Sequence, residues 1–266
     1  MPELPDVEYF ASYLRRTSLH KKIKTIQCRD ASLVQKISCK EFTKTLKGEI
    51  FTDAWRRGKL LIVDTETDKY KLVLHFGMTG DLKYRKIKKE NPPYDDMHAK
   101  IVFQFQNNYE LIWINKRKLG KVYLMQDLHK INLFKNMGPE PLELSQKDFL
   151  NLMEKKKTKN IKSFFMDQHD IAGIGNEYSN EILFRCGIHP KKNINSLDED
   201  KRKDLYKTMQ RTLKQAIKVG PPRGEFSDSW LLSHLTDMKC PKNKNHELKK
   251  KKIAGRSAVF CPQHQK

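Results

Sequence analysis

Four residues near the C-terminus have the types and spacing that hold a metal ion. Cys240 is followed after five residues by His246, and Cys261 after two residues by His264, with fourteen residues between the pairs. Zinc takes four nitrogen or sulfur ligands in a tetrahedron, and two turns that each present a pair supply them well. Residues 239–266 carry nine Lys or Arg and one acid, Glu247. Such a segment has little apolar surface to bury, so a structural zinc would stand in for a core. A second candidate chemistry lies at the opposite end. If Met1 is removed, Pro2 becomes the first residue and presents a secondary amine. An α-amino group has a pKa of roughly 8, against about 10.4 for lysine. A useful fraction of that amine is therefore neutral and nucleophilic near pH 7. Glu3 follows directly as a candidate acid/base group. Taken alone, Pro-Glu is also an ordinary lead-in to a helix.

Composition sets the background for these groups. The chain has 266 residues, with 53 Lys+Arg against 32 Asp+Glu and a net charge of +21. That surplus must lie at the surface, where it attracts polyanions such as nucleic acid. Hydrophobic residues make up 38%, enough for a packed core in one or two domains. Apolar runs such as 60–63 and 111–114 fall far short of a membrane span, so no membrane partner is expected. The opening MPELPDVE lacks the basic start and apolar middle of a signal peptide, so the chain is expected to be soluble and intracellular. Among five cysteines, Cys28, Cys39 and Cys186 read as reduced structural thiols.

The elements that must position the candidate groups follow from periodicity. Apolar residues at 7, 10, 11 and 14 predict a helix over 7–19. Between 22 and 126 the pattern becomes short β-branched and aromatic runs (KIKTIQC, GEIFTDAW, KLLIVDT, YKLVLHF, AKIVFQF, YELIWI, KVYLM) separated by turn residues. These runs predict a β-sandwich or barrel. Pro139 and Pro141 mark a boundary. Helices are expected over 145–155, 161–165, 176–186 and 200–219, then turns with two short β-like pieces. The expected fold is α+β with two main domains: a β-sandwich over 1–134, a linker over 135–144, a helical domain over 145–222 and a zinc finger over 223–266.

Five separated motifs occur in family order: PELPDVE (2–8), RRGKLL with Lys59, HFGMTG (75–80), DQHDIAGIGNEYSNEILFRCGIHP (167–190) and GRSAVFCPQH (255–264). Together they resemble the formamidopyrimidine-DNA glycosylase/endonuclease VIII family of base-excision repair enzymes. The resemblance covers the whole chain. It implies a sandwich flanked by helices, followed by a helix–two-turn–helix domain with a zinc finger. It implies that Pro2 attacks C1′ of a damaged nucleotide and forms a Schiff base, and that a partly buried Glu3 protonates the sugar ring oxygen as the base leaves. Elimination of the 3′ and then the 5′ phosphate would follow, making the enzyme a glycosylase and AP lyase.

The same resemblance assigns Lys59, Asn176 and Arg256 to the phosphate beside the lesion, and counts Lys59 with Pro2 and Glu3 among the catalytic residues. Asn176 ends a GIGN turn whose glycines permit close approach of backbone to phosphate. His75 and Tyr178 are further implied DNA contacts. Met78, Arg117 and Leu119 would fill the space left by the extruded base. Leu119 stands where formamidopyrimidine-type enzymes have Phe. With HFGM and the two-Cys, two-His finger, this favours the endonuclease VIII-like branch, which prefers oxidised pyrimidines and accepts single-stranded or bubble DNA beside duplex. A monomer is expected. The alternative is a non-catalytic DNA- or RNA-binding protein of the same fold.

Overall fold

The computed structural model describes residues 1–87, 97–253 and 255–266. It separates into two units: Met1–Pro2 with Asp6–Lys135, and Glu3–Pro5 with Asn136–Lys266. The second unit thus takes in both the helical segment and the C-terminal hairpins.

The first unit is a β-sandwich with helices. Its strands are β1 (Ile23–Cys28), β2 (Val34–Gln35), β3 (Phe51–Arg57), β4 (Leu60–Thr65), β5 (Lys71–His75), β6 (Gly80–Lys86), β7 (Ala99–Phe105), β8 (Tyr109–Asn115) and β9 (Lys121–Met125). One sheet has the order β1-β7-β8-β6 and the other β2-β9-β5-β4-β3. Side chains alternate across each strand. Ile101, Phe103, Leu111 and Trp113 from the first sheet meet Leu61, Val63, Leu72 and Leu74 from the second in one core. The opposite faces are also covered: Val102, Ile112 and Ile114 form a separate buried cluster. Burial on both faces explains why these runs read as almost continuously apolar.

Helix α1 (Leu4–Thr17) adds Val7, Phe10, Ala11 and Leu14 to this core. It begins three residues earlier than its periodicity predicts, because proline is tolerated in a first helical turn. Helix α2 (Cys39–Leu46), capped by Ser38, buries Phe42 and Leu46. It corrects the expectation of strands and turns alone between 22 and 126. Cys28 and Cys39 are also not reduced: they form a disulfide with Cα atoms 5.9 Å apart. Packing of α2 beside β1 brings the two together.

Two loops of this unit are fastened to each other. Asn115 is fully buried. Its Nδ2 donates to Phe76 O at 2.9 Å, and its Oδ1 accepts from Leu119 N at 3.1 Å and Gly120 N at 3.3 Å. Thr79 Oγ1 accepts from Arg117 N at 3.0 Å. The approach is so close that a Cβ on Gly77, whose φ is +61°, would lie 2.5 Å from the Leu119 carbonyl carbon.

The second unit is helical, with α4 (Gln146–Lys155), α5 (Ile161–Met166), α6 (Asn176–Arg185) and α7 (Glu199–Val219) following the short α3 (Asn132–Lys135) of the first. Ser145 caps α4 and Asp198 caps α7 through side-chain oxygens. Phe149, Phe164, Ile182, Leu205 and Met209 share its core with Leu4. Two hairpins end the chain, β10 (Lys239–Cys240) with β11 (Asn243–Glu247) and β12 (Lys249–Ile253) with β13 (Arg256–Phe260). Among the described residues no helix is long and apolar enough to cross a membrane.

Lys162 ties α5 to the start of α6. It has no exposed surface, and its Nζ donates to Asn180 Oδ1 at 2.6 Å, Ser179 Oγ at 2.9 Å and Asn176 O at 3.4 Å. Burial pushes its pKa from 10.5 down to about 8, partly opposed by the Glu3 carboxylate.

Two predictions follow from these buried polar groups. Asn115→Ala leaves the Phe76 carbonyl without its donor and should lower unfolding free energy by about 2 kcal/mol in urea titrations. For Lys162, the folded chain binds fewer protons than the unfolded chain between pH of about 8 and 10.5. Its contribution to stability is therefore lowest below that window and rises with pH across it, by up to about 3 kcal/mol. Lys162→Met should flatten that rise when unfolding is measured across alkaline pH.

Candidate nucleic-acid and metal sites

The second unit builds a carboxylate site at the N-terminus of α6. The residue preceding this helix is Gly175, which has no side chain to cap it. Glu3 supplies the cap from 172 positions away: Oε2 accepts from Gly175 N at 2.7 Å and Tyr178 N at 3.2 Å, and Oε1 from Glu177 N at 2.9 Å. These are donors that a helix start leaves unsatisfied, and the helix dipole favours an anion there. Leu4 N donates to Gly173 O at 2.9 Å. Gly173 has φ +80°, and a Cβ there would meet Leu4 Cβ at 2.8 Å. The expected burial of Glu3 is deeper than partial, at 2% exposure.

Asn176 opens α6, and its buried Oδ1 has no hydrogen-bond partner among the described residues. Tyr178, expected as a DNA contact, has its side chain in the core at 1% exposure. Helical phase turns its ring inward, and its backbone N–H bonds Glu3. Lys162 is the site residue that sequence reasoning missed. A lone lysine in a Lys-rich chain carries no signal. Its position on the apolar face of IKSFFM was the available hint.

In the first unit, Gly58 and Lys59 form the two-residue turn of the β3–β4 hairpin, where Arg57 pairs with Leu60. Lys59 is 7% exposed. His75, at the end of β5, pairs with Leu60 on one side and Lys121 on the other. Burial, then the charges of Lys59 and Lys121, hold its pKa down at about 4. It is thus neutral at physiological pH, and its buried Nδ1 has no hydrogen-bond partner among the described residues. Met78 and Leu119 stand well exposed on the two fastened loops, at 44% and 49%, with Arg117 on the same pair. The structure therefore brings Met78, Arg117 and Leu119 together.

Arg256 is exposed at the start of β13. Beside these hairpins, ligand atoms of Cys240, His246 and Cys261 lie within 4.8 Å of one another. Both cysteines are fully buried, and Cys261 Sγ is 3.9 Å from His246 Nδ1. Two thiols and an imidazole this close suit a tetrahedral ion such as zinc. His264, the fourth expected ligand, is outside this group. Its Nε2 is 2.8 Å from Phe184 O, and its ring packs edge-on against Phe184.

Comparison with known proteins agrees with this architecture. Residues 1–122 match the formamidopyrimidine-DNA glycosylase N-terminal domain, and 137–226 match the formamidopyrimidine-DNA glycosylase H2TH domain. The formamidopyrimidine-DNA glycosylase of Histophilus somni strain 2336 is 33% identical over 282 aligned positions, covering all of both chains. A Lactococcus lactis Fpg mutant in complex with Fapy-dG-containing DNA superposes with a TM-score of 0.87 at 30% identity, over all of both chains. Wild-type Lactococcus lactis Fpg in complex with oxidised-pyrimidine-containing DNA gives 0.86 at 29%, again over all of both chains. These matches do not distinguish the endonuclease VIII-like branch. With its sandwich, its H2TH helices and full-length similarity to such relatives, the chain belongs to the formamidopyrimidine-DNA glycosylase family of DNA-repair enzymes.

Proposed function

We propose that this protein is a bifunctional DNA glycosylase and AP lyase of base excision repair that removes oxidised bases, pyrimidines among them, from damaged DNA. The observation that carries this reading is the fixed carboxylate of Glu3, held by three backbone N–H groups and joined by one peptide bond to Pro2. Among the similar structures, one Lactococcus lactis enzyme holds a formamidopyrimidine lesion and another an oxidised pyrimidine, which supports a substrate range spanning both base classes.

In this mechanism Met1 is removed, and the Pro2 nitrogen adds its lone pair to C1′ of the damaged nucleotide. The bond from C1′ to the base breaks, and the base leaves with the bonding pair. The departing base takes a proton from water, and the Glu3 carboxylate accepts the proton that the Pro2 nitrogen sheds and passes it to the sugar ring oxygen as the ring opens, which leaves an iminium between Pro2 and C1′. The iminium acidifies the C2′ protons, and loss of one expels the 3′ phosphate. A second elimination expels the 5′ phosphate, leaving a one-nucleotide gap. Lys59, Asn176 and Arg256 bind phosphate in this reading, and His75 is a further DNA contact. The support is chemical: a side-chain amide and a neutral imidazole can donate N–H groups to an oxygen acceptor, and lysine and arginine are cations suited to an anion. Met78, Arg117 and Leu119 occupy the space of the extruded base, as their exposure on fastened loops suits.

Zinc is proposed for Cys240, His246 and Cys261, where it would hold a hairpin pair too basic and too small to build a core. His264 would complete the set through Nδ1, since a metal-binding histidine characteristically donates its other ring N–H to a carbonyl, here Phe184 O.

Borohydride reduction of the Met1-free protein with an abasic-site oligonucleotide should trap a covalent adduct. Protein with one extra residue before Pro2 should give no adduct and no strand cleavage, yet keep salt-dependent DNA binding. Cleavage by that extended protein would remove Pro2 as the nucleophile. Metal analysis should find one zinc per chain, and Cys261→Ser should lower metal affinity by at least about tenfold while weakening DNA binding. A metal-free preparation with full DNA affinity would refute the zinc assignment.

A further inference from the structure

Helix α7 changes character halfway along. In its first half the cations have acid partners: Lys203 with Glu199 at 2.6 Å, Arg202 with Glu154 at 3.0 Å and Lys201 with Asp204 at 3.6 Å. After Asp204 no acid occurs before Glu225. Lys207, Arg211, Lys214 and Lys218 follow at helical spacing, all exposed, within an arc of about 60° and a length of about 16 Å. No ion pair engages any of the four among the described residues. Like charges one helical turn apart destabilise a helix. The helix dipole compensates cations only in the last turn, which accounts for Lys218 and not for Lys207 or Arg211.

The stripe borders a groove of about 710 Å³, a volume that encloses a small ligand or short peptide segment. Its other wall contains Leu142 and Leu144, both half-buried, and Tyr206, whose hydroxyl donates to Leu144 O at 2.9 Å. The cavity therefore joins a partly apolar wall to an uncompensated basic edge.

We propose that this groove docks an acidic segment of a partner protein, with carboxylates on the α7 cations and apolar side chains against Leu142 and Leu144. An extended peptide repeats its same-face side chains every roughly 6.6–7 Å, a spacing that long Lys and Arg side chains can follow along α7. A nucleic-acid strand fits less well. A continuous phosphodiester has nothing apolar to set against Leu142 and Leu144, whereas a peptide alternating acidic and apolar residues does, and Glu143 disfavours any anion at its own position. The surface uses none of the residues proposed for DNA chemistry, so it stands or falls apart from the glycosylase reading.

Fluorescence anisotropy on the full chain tests this with a short labelled peptide alternating Glu and Leu, its Gln-for-Glu analogue, and single-stranded oligodeoxythymidylate. The Glu peptide should bind and the Gln analogue should not. The double variant R211E/K214E should weaken peptide binding by roughly tenfold or more and leave affinity for an abasic-site duplex unchanged. K207E/K218E should act in the same direction. Equal binding of the Gln analogue, or peptide affinity unmoved by R211E/K214E, overturns the proposal. Oligodeoxythymidylate binding that R211E/K214E abolishes, without peptide binding, would assign the groove to nucleic acid and also overturn it.

Discussion

A helix that starts on glycine has no side chain to satisfy its first N–H groups, and in this protein a carboxylate from the other end of the chain does so. Glu3 accepts from Gly175, Glu177 and Tyr178, so the orientation of the third residue depends on the N-terminus of α6. The arrangement is mutual. The carboxylate completes the helix start, and the helix fixes the residue that follows Pro2. Gly173 and Leu4 bring the strands of backbone close enough for this. Lys162 lies buried below and holds α5 to the same turn through Ser179 and Asn180. Burial in that dry region lowers its pKa, partly opposed by Glu3. A proton-transfer role for Glu3 would draw on this dryness and on the fixed donors, since neither needs to reorganise during reaction.

The first unit solves a related problem with an amide. Asn115 uses both ends of its side chain to hold two loops against each other. The glycine at 77 lets the backbones approach, and the result is a pair of exposed apolar tips, Met78 and Leu119, on a buried polar support. Exposed large apolar side chains are disfavoured in water unless they meet a partner. The rigid support beneath them is what would make them effective wedges. His75 completes the picture from β5: two neighbouring lysines and burial keep it neutral, so it acts as a hydrogen-bonding group rather than as a cation.

Charge in this chain is not simply spread over a solvated surface. It concentrates on the finger hairpins, where Lys249, Lys250, Lys251 and Lys252 follow one another along β12, and along the second half of α7. Elsewhere some cations are paired, as Arg56 is with Glu8 at 3.0 Å and Arg85 with Glu110 at 2.8 Å.

Local pattern alone determined much of this protein. The strands follow from β-branched and aromatic runs between turn residues, because an alternating side-chain period is a property of the chain itself. The helices α4 and α7 follow from Ser145 and Asp198, whose caps need only neighbouring N–H groups. The Cys/His spacing drew attention to the tail for the same reason: each pair lies within one turn. Tertiary structure decided what depends on distant partners. No local signal tells that Glu3 caps a helix starting at Asn176, that Cys28 meets Cys39, that Tyr178 turns its ring into the core, or that Lys162 is the buried member of a lysine-rich population. Nor does spacing reveal that His264 sets its Nε2 against the Phe184 carbonyl. Each of these is a contact outside the residue's own turn of chain, and it exists only once packing has offset the entropy of bringing the segments together.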